Sequence, residues 1–299
     1  MRVLNVSDND WANFAYDNMM SLRSVGIDCI SLVLNSHPFG YKDTSIRVDR
    51  KLMEKLMKKA DMVQAFHSPQ NLIPLLQDCK KPVVVYHTGT GYRQAPATMH
   101  EAFKGFSIVC ALPELYLDSK QRGADPVYIV GGIAIPEKVS FDTSNPIRIG
   151  HYPSNPEVKG TETLRPLLSK YGADIRTDKV AYNIQLYRLE DCDVYVEMMA
   201  TLQGKADYGS FGITALEAAA RGKIVLTNCV HSEVYREHYG KEPFIFCNDL
   251  HSLEEKLDYL LDLEDITALK KELHERFVKL HSHASTGKYL KDNVLKRIL

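Results

Sequence analysis

One stretch of the chain concentrates residue types suited to holding an anion. From Asp207 to Thr227 a glycine-flanked loop runs into an alanine-rich helix, which Gly222 ends before the next strand. Gly209 and Gly212 allow close approach of backbone to a ligand, and a helix start offers unpaired N–H groups to an anion. Ser210, Phe211, Ile213 and Thr214 complete that loop and first turn. Glu217 falls about one turn into the helix, where a carboxylate can accept hydrogen bonds from sugar hydroxyls such as a ribose diol. An ordinary α/β loop with a solvated glutamate is the plainer alternative, and these residues alone leave it open.

Further polar clusters follow strand-like segments. They are Ser7-Asp8-Asn9-Asp10-Trp11, His67-Ser68, His87-Thr88-Gly89, Gly131-Gly132, His151 to Asn155 with Ser154 and then Lys159, and Asn228. Open parallel sheets gather ligands at the carboxyl ends of their strands, so these residues suit a polar, phosphate-bearing ligand. Asp8 with Asp10, and Asp191 with Asp193, match a D-x-D metal pattern, but a three-residue match is weak support for a cation site. Asp191 and Asp193 precede a strand and suit turn or cap roles. His67 and His87 lack a third metal ligand. Asp8 and Asp10 follow a strand and are the better placed of the two pairs, so a metal there stays open as the minor alternative.

These clusters need elements to carry them. Short apolar runs (Val3 to Val6, Cys29 to Leu34, Asp61 to Phe66, Pro82 to Tyr86, Phe106 to Ala111, Pro126 to Val130) alternate with amphipathic stretches such as Arg50 to Ala60. Continuous hydrophobicity suits strands buried on both faces, as in a parallel sheet covered by helices. After the proline-bracketed residues 136–146 the alternation restarts, with strands at Ile147 to His151, Ala173 to Arg176, Val194 to Met198, Ile224 to Thr227 and Phe244 to Cys247. Ser252 to Glu255 reads as a capping box opening a helix. The expected architecture is α/β: a Rossmann-like domain over 1–138, a linker at 139–146, a second over 147–280, and a final helix at 281–299 returning to the first domain.

The 299 residues are 44% hydrophobic and 25% charged, which excludes a disordered chain. Lys and Arg total 37 against 38 Asp and Glu, so the basic excess of a dedicated nucleic-acid binder is missing. The six cysteines form no C-x-x-C pair and read as buried free thiols. No apolar run approaches the roughly 20 residues that span a bilayer, and no leader pattern opens the chain, so the cytoplasm is the expected location. Four lysines between Lys51 and Lys59 read as a solvated helix face, with peripheral contact at an anionic inner membrane surface as the alternative.

The Asp207–Thr227 stretch resembles the signature of GT-B glycosyltransferases of family 4 (group 1), in which an acidic residue, Gly-Phe-Gly and a second Glu precede an alanine-rich helix. Ile149 to Thr161 resembles the first strand and Lys-Gly turn of that family's C-terminal domain, in the branch with His-x-Pro-Ser and Lys-Gly-Thr. Tyr187 to Val196, Ala60 to His67, Lys81 to His87 and Val130 to Ile133 resemble further segments in the same order. The resemblance implies two Rossmann-like doubly wound domains facing a cleft, and a retaining, metal-independent transferase. Its co-substrate would be a UDP-, GDP- or ADP-linked sugar, with no further cofactor. Glu217 would hold the ribose, Lys159 with His151 the diphosphate, and Ser154, Asn155 and the backbone from Gly209 to Thr214 would line the donor site. His87 would reach the sugar or acceptor, and Asp8, Asn9, Trp11, His67 and Gly89 would build the acceptor site. Three departures stand out: Gly209 where the family often has an acid, His151 where it often has arginine, and Asp8-Asn9-Asp10 in place of a Gly-Gly loop. The first two leave as an alternative a GT-B protein that binds nucleotide or sugar without catalysis; the compact size permits another, a glycosyltransferase acting on modified DNA bases, against which the neutral net charge argues.

Overall fold

The computed structural model describes residues 1–37, 39–198 and 209–298. The chain divides into two compact units, Met1–Gly132 with His281–Leu299, and Ile133–Leu280. Each is built on a parallel sheet.

In the first unit the strands are β1 (Arg2–Asn9), β2 (Asp28–Asn35), β3 (Ile46–Arg47), β4 (Met62–Phe66), β5 (Val83–His87), β6 (Ser107–Cys110) and β7 (Val127–Tyr128), in the order β3-β2-β1-β4-β5-β6-β7. All five residues of β4 and of β5 are buried, as expected of strands covered on both faces. Chain order reverses between β1 and β4, which pair from Val3–Met62 to Val6–Ala65. The second unit holds β8 (Ile149–His151), β9 (Asp174–Ile175), β10 (Val194–Val196), β11 (Ile224–Thr227) and β12 (Ile245–Phe246), in the order β12-β11-β10-β8-β9. Its reversal lies between β8 and β10. Leu164, Leu168, Val194, Val196, Ile224, Leu226, Leu253 and Leu257 form its core.

The apolar runs land on strands and the amphipathic stretches on helices, with shifted edges. The helix expected from Arg50 to Ala60 spans Arg50–Met57, capped by Asp49, whose side chain accepts from the Leu52 N–H at 2.7 Å. Met53 and Met57 are buried, while Lys51, Lys55, Lys58 and Lys59 are exposed. The capping box at Ser252 is displaced: the helix runs Leu250–Leu261, and Asp249 is its N-cap, accepting from the Ser252 N–H. A carboxylate three residues upstream captures the Ser252 N–H, which the box would have given to the Glu255 side chain. Residues 139–146 belong to the second unit. The Lys270 ammonium donates to the Asp142 carbonyl at 2.7 Å and to Asp193 at 3.2 Å, and Asp193 also accepts from the Ser144 and Arg148 N–H groups. All six cysteines are free thiols, five of them buried. Among the described residues no helix is long and apolar enough to cross a membrane.

The final segment breaks at Ser282, which caps the His283–Leu290 helix. That helix packs on the Phe14–Ser24 helix of the first unit. His283 Nε2 lies 3.1 Å from Asp17 Oδ1, and the Ser24 hydroxyl donates to the His283 carbonyl. At the crossing, a Cβ on Gly287 would collide with the Ser21 carbonyl oxygen, and one on Gly132 with the Ser21 hydroxyl. Gly131 likewise faces the Phe14 ring. These glycines admit neighbouring atoms of the fold, not a ligand. Gly287→Ala should therefore lower unfolding free energy by about 3 kcal/mol, the upper end for overpacking, because backbone cannot step aside as a side chain can. Gly172→Ala, at φ 63° in open space, should cost only about 1 kcal/mol. Urea denaturation compares them, and equal midpoints would refute the crossing.

Candidate functional site

The loops after β8 and β10 leave the sheet at the point where strand order reverses, the position where doubly wound sheets bind ligands. After β8 the Asn155 side chain caps the single-turn helix Pro156–Lys159, accepting from the Val158 N–H at 3.3 Å. Gly160, at φ 69°, ends that turn in the left-handed region and leaves Lys159 at its tip. The Lys159 ammonium forms an ion pair with Glu197, the residue directly after β10, and its Nζ lies 3.7 Å from Met198 Sδ. Glu197 is 0% exposed. Its Oε1 also accepts from the Gly212 N–H at 3.2 Å, and its Oε2 from the Thr227 hydroxyl at 3.1 Å. Gly212 is the N-cap of the helix Ile213–Ala220. A Cβ there would lie 2.9 Å from Lys159 Nζ and 3.0 Å from Glu197 Oε1, so the glycine makes room for the ion pair.

The structure thus brings Lys159 and Gly212 together, with Glu197 between them. Glu197 escaped the sequence reading because it continues the apolar strand segment Val194 to Met198. A lone carboxylate closing a buried run was the available signal.

His151 requires correction. Its Nδ1 faces the Val196 carbonyl at 2.8 Å, and a carbonyl only accepts, so Nδ1 carries the proton. Nε2 then accepts from the Thr161 hydroxyl at 2.9 Å. Burial holds the imidazole pKa below its ordinary value. A neutral ring with both nitrogens engaged has neither a proton nor a charge for a diphosphate. Of the other donor-side residues, Ser154 is exposed and Asn155 is occupied as a cap. Gly209 is buried and its carbonyl accepts from the Val230 N–H. The buried Ser210 hydroxyl has no partner among the described residues. Phe211 packs into the Tyr235, Phe244 and Phe246 cluster, so its ring belongs to the core. Ile213 and Thr214 form the first turn, partly buried, and Glu217 is 5% exposed on the same helix. Asp207 and Tyr208 lie outside the described residues.

The first unit has its own cluster where β1 meets β4. Asp10 accepts from the Ala15 and Tyr16 N–H groups at 2.8 and 3.0 Å and from the Ser45 hydroxyl at 2.7 Å. His67 Nε2 lies 3.3 Å from Asp10 Oδ1, and its Nδ1 lies 2.5 Å from the Thr88 hydroxyl. Ala12, Asn13, His67 and Ser68 all have positive φ, and all lie just beyond β1 or β4. Such non-glycine residues each store about 1–3 kcal/mol, and they cluster at functional sites. Ser7 Oγ, Asp8 Oδ1, Asn9 Oδ1 and Asn13 Oδ1 are buried without a partner among the described residues. Burial raises the Asp8 carboxyl pKa, with Asn71 and Arg50 opposing. Trp11 is exposed, edge-on to His37 at 5.0 Å. Gly89 adopts φ 152° at the start of the Thr90–Gln94 helix, a conformation that favours glycine.

His87 also differs from expectation. It is 1% exposed, bonded through Nδ1 to the Ser68 hydroxyl at 2.7 Å and packed on Tyr92 at 4.4 Å. It reaches a cavity of about 610 Å³ walled by residues such as Gly105, Asp125 and Arg297, which lie toward the amino ends of β6 and β7. Its lysine and arginines are already paired, Lys104 with Glu101, Arg122 with Asp118 and Arg297 with Asp125.

No family model matches the chain, and no curated protein matches its sequence. Solved structures do match in fold. Anabaena HepE in complex with UDP-glucose is 10% identical with a TM-score of 0.66, covering 99% of this chain and 100% of that one. AviGT4, a glycosyltransferase involved in avilamycin A biosynthesis, is 12% identical with a TM-score of 0.61, covering 99% and 98%. The N-terminal domain of Candida albicans trehalose-6-phosphate phosphatase is 11% identical with a TM-score of 0.61, covering 100% and 97%. The fold is GT-B. In GT-B terms, Lys159, Glu197 and Gly212 sit in the C-terminal sheet's reversal, and Asp10 with His67 in the N-terminal one.

Burial pushes the His87 pKa down to about 3. The unfolded value is about 6.5, so the folded state binds fewer protons between these values. His87 therefore contributes stability in full above about pH 6.5, and that contribution is lost as pH falls toward 3, at up to about 1.4 kcal/mol per pH unit. His87→Gln should flatten the decline of urea-measured stability between pH 6.5 and 4.5 by about one proton. An unchanged slope would place the imidazole in water.

Proposed function

We propose that the protein is a glycosyltransferase that moves a sugar from a nucleotide-sugar donor to an acceptor, with retention and without metal. The observation that carries donor binding is the Lys159 ammonium beside the start of the Ile213–Ala220 helix at the reversal of a GT-B sheet, while retention and metal independence rest on the family 4 resemblance. HepE, with UDP-glucose bound, supports a nucleotide sugar as donor. In this reading the donor lies on the second unit, as the family 4 resemblance also implies. Lys159 and the start of the Ile213–Ala220 helix hold the diphosphate, the backbone from Gly209 to Thr214 cradles phosphate and sugar, and Glu217 accepts from the ribose hydroxyls. Positive groups at the diphosphate stabilise the charge that develops as the nucleotide leaves, which is work a divalent cation does elsewhere.

His151 acts here at one remove, holding Thr161 and the carbonyl before Glu197 in place. Acceptor binding falls to the first unit. Asp8 and Asn9 supply buried acceptor oxygens, Trp11 an exposed ring, and His67 and Gly89 the adjoining edge.

Turnover of UDP-, GDP- and ADP-sugars, including slow hydrolysis without acceptor, tests the proposal. With EDTA present throughout, Lys159→Ala should reduce turnover by about 10²- to 10³-fold, the effect of removing one electrostatic stabiliser of a developing anion. Activity within twofold of wild type would remove Lys159 from the diphosphate site. Nucleotide binding with no turnover of any sugar would instead favour the non-catalytic alternative.

Glu217→Gln keeps size and one acceptor oxygen but removes the charge that strengthens bonds from hydroxyls. Nucleoside-diphosphate binding should weaken by about tenfold, since a charged partner adds about 1 kcal/mol or more per bond. The 2′-deoxy nucleotide should be discriminated less than by wild type. Calorimetry reads both, and unchanged affinity would leave Glu217 a structural residue of its helix.

A further inference from the structure

Lys159 is not an isolated cation. One carboxylate, Glu197, collects three donors from three segments: the Lys159 ammonium after β8, the Gly212 N–H at the helix start and the Thr227 hydroxyl at the end of β11. Its oxygen Oε1 serves both Lys159 and Gly212, and so fixes the lysine relative to the helix start that the reading above gives to the diphosphate. Gly212 admits the arrangement because any Cβ would press on both ions of the pair. Burying a carboxylate costs several kcal/mol before its partners offset it, and an apolar residue would fill the same space without that penalty. What an apolar residue could not do is hold an ammonium and a backbone N–H at one point.

We propose that Glu197 is a positioning residue for the donor site, resting on the glycosyltransferase reading above. It orients Lys159 toward the diphosphate and fixes the helix start at Gly212, whose own N–H it occupies, and its charge moderates the attraction of Lys159 for the nucleotide. Orientation and affinity therefore respond in opposite senses when the charge is removed.

Glu197→Gln keeps an acceptor oxygen for Gly212 or Thr227 while releasing Lys159. UDP affinity should tighten by about fivefold at low salt, the scale of removing one unit charge a few ångström away in a water-like medium. Its salt dependence should steepen. In the same variant kcat should fall by about 10- to 100-fold, because the ammonium is no longer held where the leaving phosphate needs it. Glu197→Asp keeps the charge but draws it back by one methylene, so kcat should fall with no tightening of UDP. In a Lys159→Ala background, Glu197→Gln should change kcat by less than about twofold, since its effect passes through the lysine.

A purely structural role would lower stability and the active fraction while leaving UDP affinity and KM of the folded protein unchanged, and that result overturns the proposal. Wild-type kcat and affinity in both variants overturns it too. Should Glu197→Gln fail to fold, Glu197→Asp decides: reduced kcat at retained UDP affinity supports the role, and wild-type kcat ends it. Wild-type protein that neither binds UDP, GDP or ADP nor turns over their sugars overturns the glycosyltransferase reading itself, and this inference with it.

Discussion

The reversal of strand order in a parallel sheet is the constraint from which the rest follows. Where two adjacent strands send their connections to opposite sides, no backbone covers the gap between them, and side chains must fill it. Both sheets place a buried carboxylate there. Asp10 sits beyond β1 and accepts from two N–H groups and a hydroxyl, with His67 from β4 beside it. Glu197 sits beyond β10 and accepts from an ammonium, an N–H and a hydroxyl. A buried carboxylate is tolerated only when its oxygens are satisfied in this way. In meeting that demand, each also ties together segments that are far apart in the chain.

Burial governs the histidines as firmly as pairing governs the acids. His87 and His281 are each pushed down to about 3, and His151 is held below its ordinary value with both nitrogens bonded within the unit. None of the three offers a cation to a phosphate near neutral pH. Lys159, by contrast, is a cation, tethered to Glu197. Glycine follows a similar division. Gly212 makes room for an ion pair, whereas Gly131, Gly132 and Gly287 make room for a ring, a hydroxyl and a carbonyl of the surrounding fold.

Much of the architecture was legible in the residues. Runs such as Met62–Phe66 and Val83–His87 read as strands because burial on both faces removes any polar alternation. The two-residue β3 was not legible, since Ile46 and Arg47 are exposed and too few to make a pattern. The cap at Asp249 was mistaken for Ser252 because several polar residues near a helix start can compete for the same N–H groups. Residues 139–146 looked like a free linker from their prolines and polar turns. Their attachment runs through Asp193 and Lys270, which are 77 positions apart.

The sequence by itself determined the α/β alternation, the two sheets, and the strand-end segments in which Lys159, Gly212, Asp10 and His67 lie, with Glu217 on the helix that follows, because periodicity and strand ends are local properties. The tertiary structure decided which of those residues meet. Glu197 lies 38 positions from Lys159, and His151 finds its partners at Thr161 and Val196. Hydrogen bonding and desolvation depend on distances across a folded sheet, and strand order sets those distances. A histidine that the resemblance makes a phosphate ligand becomes a neutral internal brace in three dimensions, and a glutamate hidden in an apolar run becomes the carboxylate that ties three segments together.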